Sequence, residues 1–342
     1  MMKLSRLMLA AVAVCGTSAV MAQSSVTIYG RVNTTVEHQK LGDNKATGLV
    51  NNRSRIGFKG VEDLGNGLKA GFELEASFNS DDGSGPLTFD RKSEVNLSGN
   101  FGMVRLGNFY PESYYATSDY IGMHNHETGS SSDVLYYDAA WFDGNGTRNK
   151  VAYRTPTFNN FWAEASVSLH EKARTGAAAV NKNAYDLAAN YNNGPLSLGA
   201  GYSYWNSNYQ AALRGLYTFG QFTVGAYYQR NKDDNAILGT GAGTRNNFRL
   251  SAMYVMNASE FHVNVGRANK WSNVSDSAAT QWTLGYNYNL SKRTKIYTYY
   301  TRINSGKGMD YSSGAASFDS IKAGTNAGDN FSSFALGVRH NF

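Results

Sequence analysis

Phe334-Ala335-Leu336-Gly337-Val338-Arg339-His340-Asn341-Phe342 is a strand with one greasy side. Side chains alternate across a strand, so Phe334, Leu336, Val338, His340 and Phe342 share one face. Ala335, Gly337, Arg339 and Asn341 share the other. An amphipathic strand left unpaired is an aggregation-prone edge. Pairing with a strand from the other end of the chain removes that edge by closing a barrel.

The same alternation runs through the chain. Val26, Ile28, Val32 and Val36 oppose Thr27, Tyr29, Arg31, Asn33 and Thr35; Leu68, Phe72, Leu74 and Phe78 oppose Lys69, Glu73 and Glu75. Leu196, Leu198, Tyr202 and Tyr204 oppose Ser197, Gly199, Gly201 and Ser203, and Trp282, Leu284, Tyr286 and Tyr288 oppose Thr283, Gly285 and Asn287. The apolar faces carry no charge. In a lipid-embedded barrel they face hydrocarbon while the polar faces line water.

Composition agrees. Gly 36, Tyr 23 and Phe 17 stand against Pro 4 and 17 % charged residues, and the mean hydropathy of −0.44 reflects apolar positions diluted by alternation. No segment after the N-terminus approaches the run of ~18 apolar residues that a membrane helix needs. The N-terminus carries Lys3 and Arg6, an apolar stretch from Leu7 to Val14, and Val20-Met21-Ala22 as a cleavage site. Residues 1–22 are therefore expected to be an export signal and 23–342 the mature barrel. The single cysteine, Cys15, falls inside the signal, so disulfides and thiolate metal sites are excluded from the mature chain. The formal charge of +6 loses two with Lys3 and Arg6, and the remaining basic residues are scattered through strands, which argues against nucleic acid.

Sixteen antiparallel strands are expected, near 26–37, 50–60, 67–79, 88–98, 101–108, 149–156, 160–171, 184–192, 195–205, 208–219, 221–231, 245–256, 259–268, 279–290, 293–303 and 331–342. Short Gly/Asn turns such as Asn192-Asn193-Gly194-Pro195 alternate with longer polar connections near 39–49, 80–87, 109–148, 172–183, 231–244, 270–278 and 304–330. A barrel of that size has a lumen that its own side chains cannot fill, so an aqueous channel follows. The third long connection is the outlier, and structureless stretches of this length are usually functional. It carries Glu112, Asp119, Glu127, Asp133, Asp138 and Asp143, with Arg148 and Lys150 only at its end. Folded inward, it would present carboxylates to the wall.

Tyr29-Gly30-Arg31, Ser54-Arg55-Ile56-Gly57-Phe58-Lys59-Gly60, Glu62-Asp63-Leu64-Gly65-Asn66-Gly67-Leu68, Arg105-Leu106-Gly107, Val151-Ala152-Tyr153-Arg154 and the final Arg339-His340-Asn341-Phe342 resemble the Gram-negative general diffusion porins, closest to the beta-proteobacterial branch. A terminal Phe resembles the assembly signal of outer-membrane β-barrels. The resemblance implies a homotrimer of sixteen-stranded barrels in the outer membrane, each with its third loop folded into the lumen. It implies a channel for ions and small hydrophilic solutes, with no cofactor and no catalytic set. It also implies a basic arc on the wall, Arg31, Arg55, Arg91 and Arg154, against acids of the third loop, Glu112, Asp119 and Glu127. Strand parity independently places Arg31, Arg53, Arg55 and Arg154 on polar faces. Arg91 shares parity with the lipid-facing Val95 and Leu97, so a bulge is expected beside it. The usual tip of the family's third loop is absent, and either Pro111-Glu112 or His126-Glu127 takes its place.

Eleven basic and six acidic side chains fall on polar wall positions, whereas the third loop carries six acids and two bases. A net-positive wall enriches anions within a Debye length of ~8 Å, so a weak anion preference is expected. The rival readings are a substrate-specific porin, with Tyr110, Tyr114, Tyr115 and Tyr120 as a stacking track, and an adhesin or receptor acting through external loops such as 304–330. An enzyme would need a nucleophile beside a base, and no Gly-x-Ser-x-Gly element is present. His124-x-His126 has metal-ligand spacing but no evident third ligand.

Overall fold

The computed structural model describes residues 25–119, 121–122, 129–137, 147–172, 181–234 and 241–342. The expected signal lies outside them. Seventeen strand segments form one closed antiparallel sheet. They are β1 Ser25–Leu41, β2 Asn44–Asn51, β3 Arg55–Gly65, β4 Leu68–Ser77, β5 Lys92–Gly99, β6 Gly102–Asn108, β7 Lys150–Arg154, β8 Phe161–Ser168 and β9 Ala184–Asn193. The sheet continues with β10 Leu196–Trp205, β11 Asn208–Phe219, β12 Phe222–Asp233, β13 Gly243–Met256, β14 Ser259–Ala268, β15 Ala279–Asn289, β16 Thr294–Ser305 and β17 Phe331–Asn341. Segments β2 and β3 run along the same edge of β1, pairing with Thr34–Leu41 and Ser25–Arg31 respectively. They are one barrel strand broken at Asn52-Arg53-Ser54, which gives sixteen strands around the barrel.

The break replaces ladder bonds with side-chain bonds. The Asn33 amide donates to Ser54 Oγ at 3.0 Å, and Asn33 Nδ2 donates to the Asn52 carbonyl at 2.9 Å. Arg53 takes a left-handed φ of 58°. This region corrects two expectations. The connection expected near 39–49 is a two-residue turn, Gly42-Asp43, flanked by paired strand. The strand expected over 50–60 is interrupted at residues 52–54, near its start.

Hydrophobicity is inverted, as lipid embedding requires. Val26 and Phe334 are 66 % and 55 % exposed on the outer wall, while Asn33, Thr35, Glu37 and Gln39 are sealed inside. The small apolar core sits inside one mouth. There Leu41, Leu135, Ile303, Tyr311, Ile321 and Phe331 pack together, and the last long connection, with its short helix Asp319–Lys322, folds down onto them. Part of the segment that the rival receptor reading gives to partners, Tyr311, Ala315, Ala316 and Ile321, is thus packed against the barrel.

Closure joins β1 to β17, from Arg31 opposite Asn341 to Leu41 opposite Phe331. Beyond that ladder, Gly30 and Phe342 exchange two backbone hydrogen bonds, 3.0 and 3.1 Å. A side chain at Gly30 would meet the Phe342 ring at 2.5 Å, so the glycine makes room for the closing aromatic. Deleting Phe342 removes both bonds, worth about 1 kcal/mol each, together with the ring contact. The expected result is a lower yield of folded barrel on heat-modifiable gel mobility, and Gly30→Val should reproduce it. Undiminished folded barrel in both variants would show that closure does not depend on this contact.

Candidate functional site

The described parts of the third long connection between β6 and β7, residues 109–119, 121–122, 129–137 and 147–149, lie inside the barrel, and their sequence explains why. The connection enters at Phe109, which lies beneath the Arg105 guanidinium at 4.0 Å and the Lys150 ammonium at 5.1 Å. A short helix, α1 (Glu112–Thr117), follows Pro111. It rests directly on the polar face of β10, where a Cβ at Gly199 would stand 1.8 Å from the Ala116 carbonyl oxygen and one at Gly201 would stand 2.7 Å from Ser113 Cβ. The glycines of that face admit the helix. Ser113 then binds the wall: its amide donates to Asp186 Oδ1 at 3.1 Å, and its hydroxyl lies 2.8 Å from Ser203 Oγ.

Farther along, a 3-10 turn at Gly129–Ser131 brings Ser130 to Glu37. Glu37 is fully buried and accepts hydrogen bonds from Thr35, Gln39, Ser130, Tyr299 and Ser333. A buried carboxylate is tolerated when its lone pairs are satisfied in this way. Next, Arg249 grips Asp133 through Nε and Nη2 at 2.9 and 2.6 Å, and the Tyr227 hydroxyl donates to the same carboxylate. Burial works against the charged form of Asp133, but the guanidinium and these donors outweigh it and hold the carboxyl below its ordinary range. The Leu135 carbonyl accepts from Arg245 at 2.6 Å and from Asn247 at 2.8 Å. The loop is thus fastened to β1 and to the wall from β9 to β16.

Beside the loop lies a cavity of about 670 Å³, bounded by β3, β4 and the start of β5 and also by Arg249 and Asn264 of β13 and β14. The wall contributes Arg53, Arg55, Glu73, Glu75, Arg91 and Lys92, and the loop contributes Tyr110, Tyr114, Tyr115, Asp119, Asp133 and Tyr136. Three expected wall residues meet here. Arg55 and Arg91 share one carboxylate, Glu75, at 3.5 and 2.6 Å, and Lys92 pairs with Glu73 at 3.0 Å. Arg53, in the strand break, is exposed and makes no ion pair or hydrogen bond among the described residues. Arg91 needs no bulge. Segment β5 begins at Lys92, so Arg91 belongs to the preceding connection, where strand parity does not apply.

The other expected residues stand elsewhere. Arg31 is opposite Arg55 in the β1–β3 ladder, on the same face but outside the cavity lining. Arg154 binds Glu164 at 2.8 Å and Glu112 at 2.7 Å, and so fastens α1 to the wall. Glu112 is consequently buried beneath the loop. Asp119 lines the cavity yet is only 7 % exposed. Glu127, like His124, His126 and Tyr120, lies outside the described residues. Sequence reading gave no constriction role to Asp133, Arg249 or Tyr136. Arg249 was visible only as one polar-face arginine among many, and nothing in the spacing ties it to an acid more than a hundred residues away.

Around the cavity Arg53, Arg55, Arg91, Lys92 and Arg249 face Glu73, Glu75, Asp119 and Asp133; Asp119 is buried and Asp133 is held by Arg249, while Arg53 is open. Burial pushes the Glu112 carboxyl up to about 7; Arg154 opposes this, and neighbouring Glu164 and Asp186 add to the rise. Arg105 also faces it, and Lys150 bears on the adjoining Asp186. A carboxyl raised above its unfolded value binds its proton more tightly in the folded state, so this site's contribution is full below the unfolded pKa and falls as pH rises toward 7. Heat resistance of the folded barrel should therefore be greater at pH 5 than at pH 8. Glu112→Gln should flatten that difference, and an unchanged pH profile in the variant would remove Glu112 from the account.

A family model described as Gram-negative porin matches residues 9–308. Outer membrane porin protein 32 of Delftia acidovorans is 34 % identical, with 100 % of each chain covered. Among solved structures, an anion-selective porin from Comamonas acidovorans matches with a TM-score of 0.76 and 30 % identity, covering 94 % of this chain and 100 % of that one. The trimer form of OmpT from Vibrio cholerae matches with a TM-score of 0.67 over 93 % of this chain, at an identity of 16 % that speaks for the fold alone.

Proposed function

The chain belongs to the Gram-negative porin family, and from that premise we propose that its channel prefers anions, selected where Arg53 and Arg55 face the inner loop. The protein is an outer-membrane β-barrel that passes small hydrophilic solutes by passive diffusion. One observation carries the selectivity: Arg53 is open to the lumen without a counter-charge among the described residues, whereas Glu112 and Asp119 are buried and Asp133 is neutralised by Arg249. Fixed charges lining a pore set its ion preference, and a narrow low-dielectric passage strengthens their field. The similar Comamonas protein is described as anion-selective, which supports the same sign here.

Arg53, Arg55 and Arg91 form the basic side of the constriction in this reading. Arg31 extends it along the wall, and Arg154 with Glu112 holds the loop. Residues 1–22 serve as the export signal, and three copies assemble as a trimer. Reconstitution into a planar bilayer tests the channel. Discrete conductance steps are expected, and a protein that folds and inserts without conducting would contradict the reading.

A further inference from the structure

The cavity has two unlike walls. On one, Arg53 is open and Arg55 shares its carboxylate with Arg91. On the other, the inner loop presents four partly exposed tyrosines. Tyr114 meets Tyr115 edge to face at 5.4 Å and Tyr136 at 5.8 Å, and Tyr136 is braced against Tyr227 at 5.9 Å. This packing holds the ring orientations without hiding the rings. The walls approach each other where the Arg91 guanidinium stands 5.7 Å from the Tyr110 centroid.

We propose that this channel favours small aromatic carboxylates over aliphatic anions of equal charge. The inference rests on the anion preference above and names the class of solute. A benzoate-like anion carries its charge at one end and a flat ring at the other. Its carboxylate can take the planar, two-pronged guanidinium of Arg53, and its ring can lie edge to face on the tyrosines. An aliphatic carboxylate makes the first contact only. At about 670 Å³ the cavity is far larger than one such molecule, so water remains around it and contact is brief, as conduction requires.

The test is partial block of chloride current through the reconstituted channel by benzoate and by cyclohexanecarboxylate, which match in charge and nearly in size. Benzoate should act at about fivefold lower concentration, in line with the strength of aromatic pairing. Tyr114→Leu with Tyr136→Leu should bring the ratio of the two close to one. Arg53→Gln should weaken both acids together and leave their ratio. Equal block by the two acids in the unaltered channel overturns the inference, whether or not any variant assembles. A ratio that survives loss of the tyrosines overturns it as well. Reversal potential in a potassium chloride gradient, taken on the same membranes, separates the two readings. A cation-selective channel defeats the anion reading, whereas an anion-selective one that treats both acids alike defeats only the aromatic preference.

Discussion

Replacing Arg249 by leucine is expected to loosen the inner loop from its wall and make the channel noisy and wider. Arg249 is 2 % exposed, holds Asp133 with two short hydrogen bonds and also donates to Asn264 and Gln281. Removing it leaves the Asp133 carboxylate, 15 % exposed at the cavity wall, without its counter-charge, and breaking a fully buried pair costs about 3–5 kcal/mol, an upper bound here. A factor of ten in population corresponds to about 1.4 kcal/mol, so the detached form should become abundant even though Leu135 and Tyr137 keep their own bonds to the wall. Single-channel recordings should show larger mean conductance and rapid fluctuation. Adding Asp133→Asn should restore much of the quiet state by removing the stranded charge. Recordings of Arg249→Leu as quiet as those of the unaltered protein would mean that the other anchors suffice.

Charge at the strand break should govern selectivity. In Arg53→Glu with Arg55→Gln the wall loses three units of positive charge. At 8 Å in water each unit interacts with a permeating ion by about 0.5 kcal/mol, so the change is worth about 1.5 kcal/mol in dilute salt, roughly a tenfold swing toward cations. Near physiological salt the Debye length is of the same size, and the swing should shrink to roughly two- or threefold. The steepening at low salt is itself part of the expected result. Arg31→Gln, one ladder position outside the cavity lining, should shift the reversal potential less. A larger shift from Arg31 would move the narrow point toward β17.

How much of this was legible in the sequence follows from the physics of each signal. The outer face was plain because lipid demands an unbroken apolar row, and Val26, Ile28, Phe334 and Leu336 supply one. Segment β2 was not plain. Its outward residues Lys45, Thr47 and Leu49 lie near the rim, where an apolar row is not required, so paired strand looked like loop. Arg53 and Arg55 were found by parity, although Arg53 owes its position to a break that parity could not show. The third loop was recognisable by length and acid content. The destination of each acid was not, because it depends on distant partners: Arg154 draws Glu112 under the helix, and Arg249 neutralises Asp133. One clue is present in the sequence. The Gly199 and Gly201 face on β10 is a strip without side chains inside the barrel, and something had to lie against it.

The most direct test of the selectivity account is the reversal potential of the unaltered channel in a potassium chloride gradient, repeated at low and high salt. The open Arg53, the buried Glu112 and Asp119 and the paired Asp133 call for a potential of anion-selective sign that grows as salt is lowered. A cation-selective sign at every salt concentration would show that carboxylates rule the narrow point, and would contradict the account.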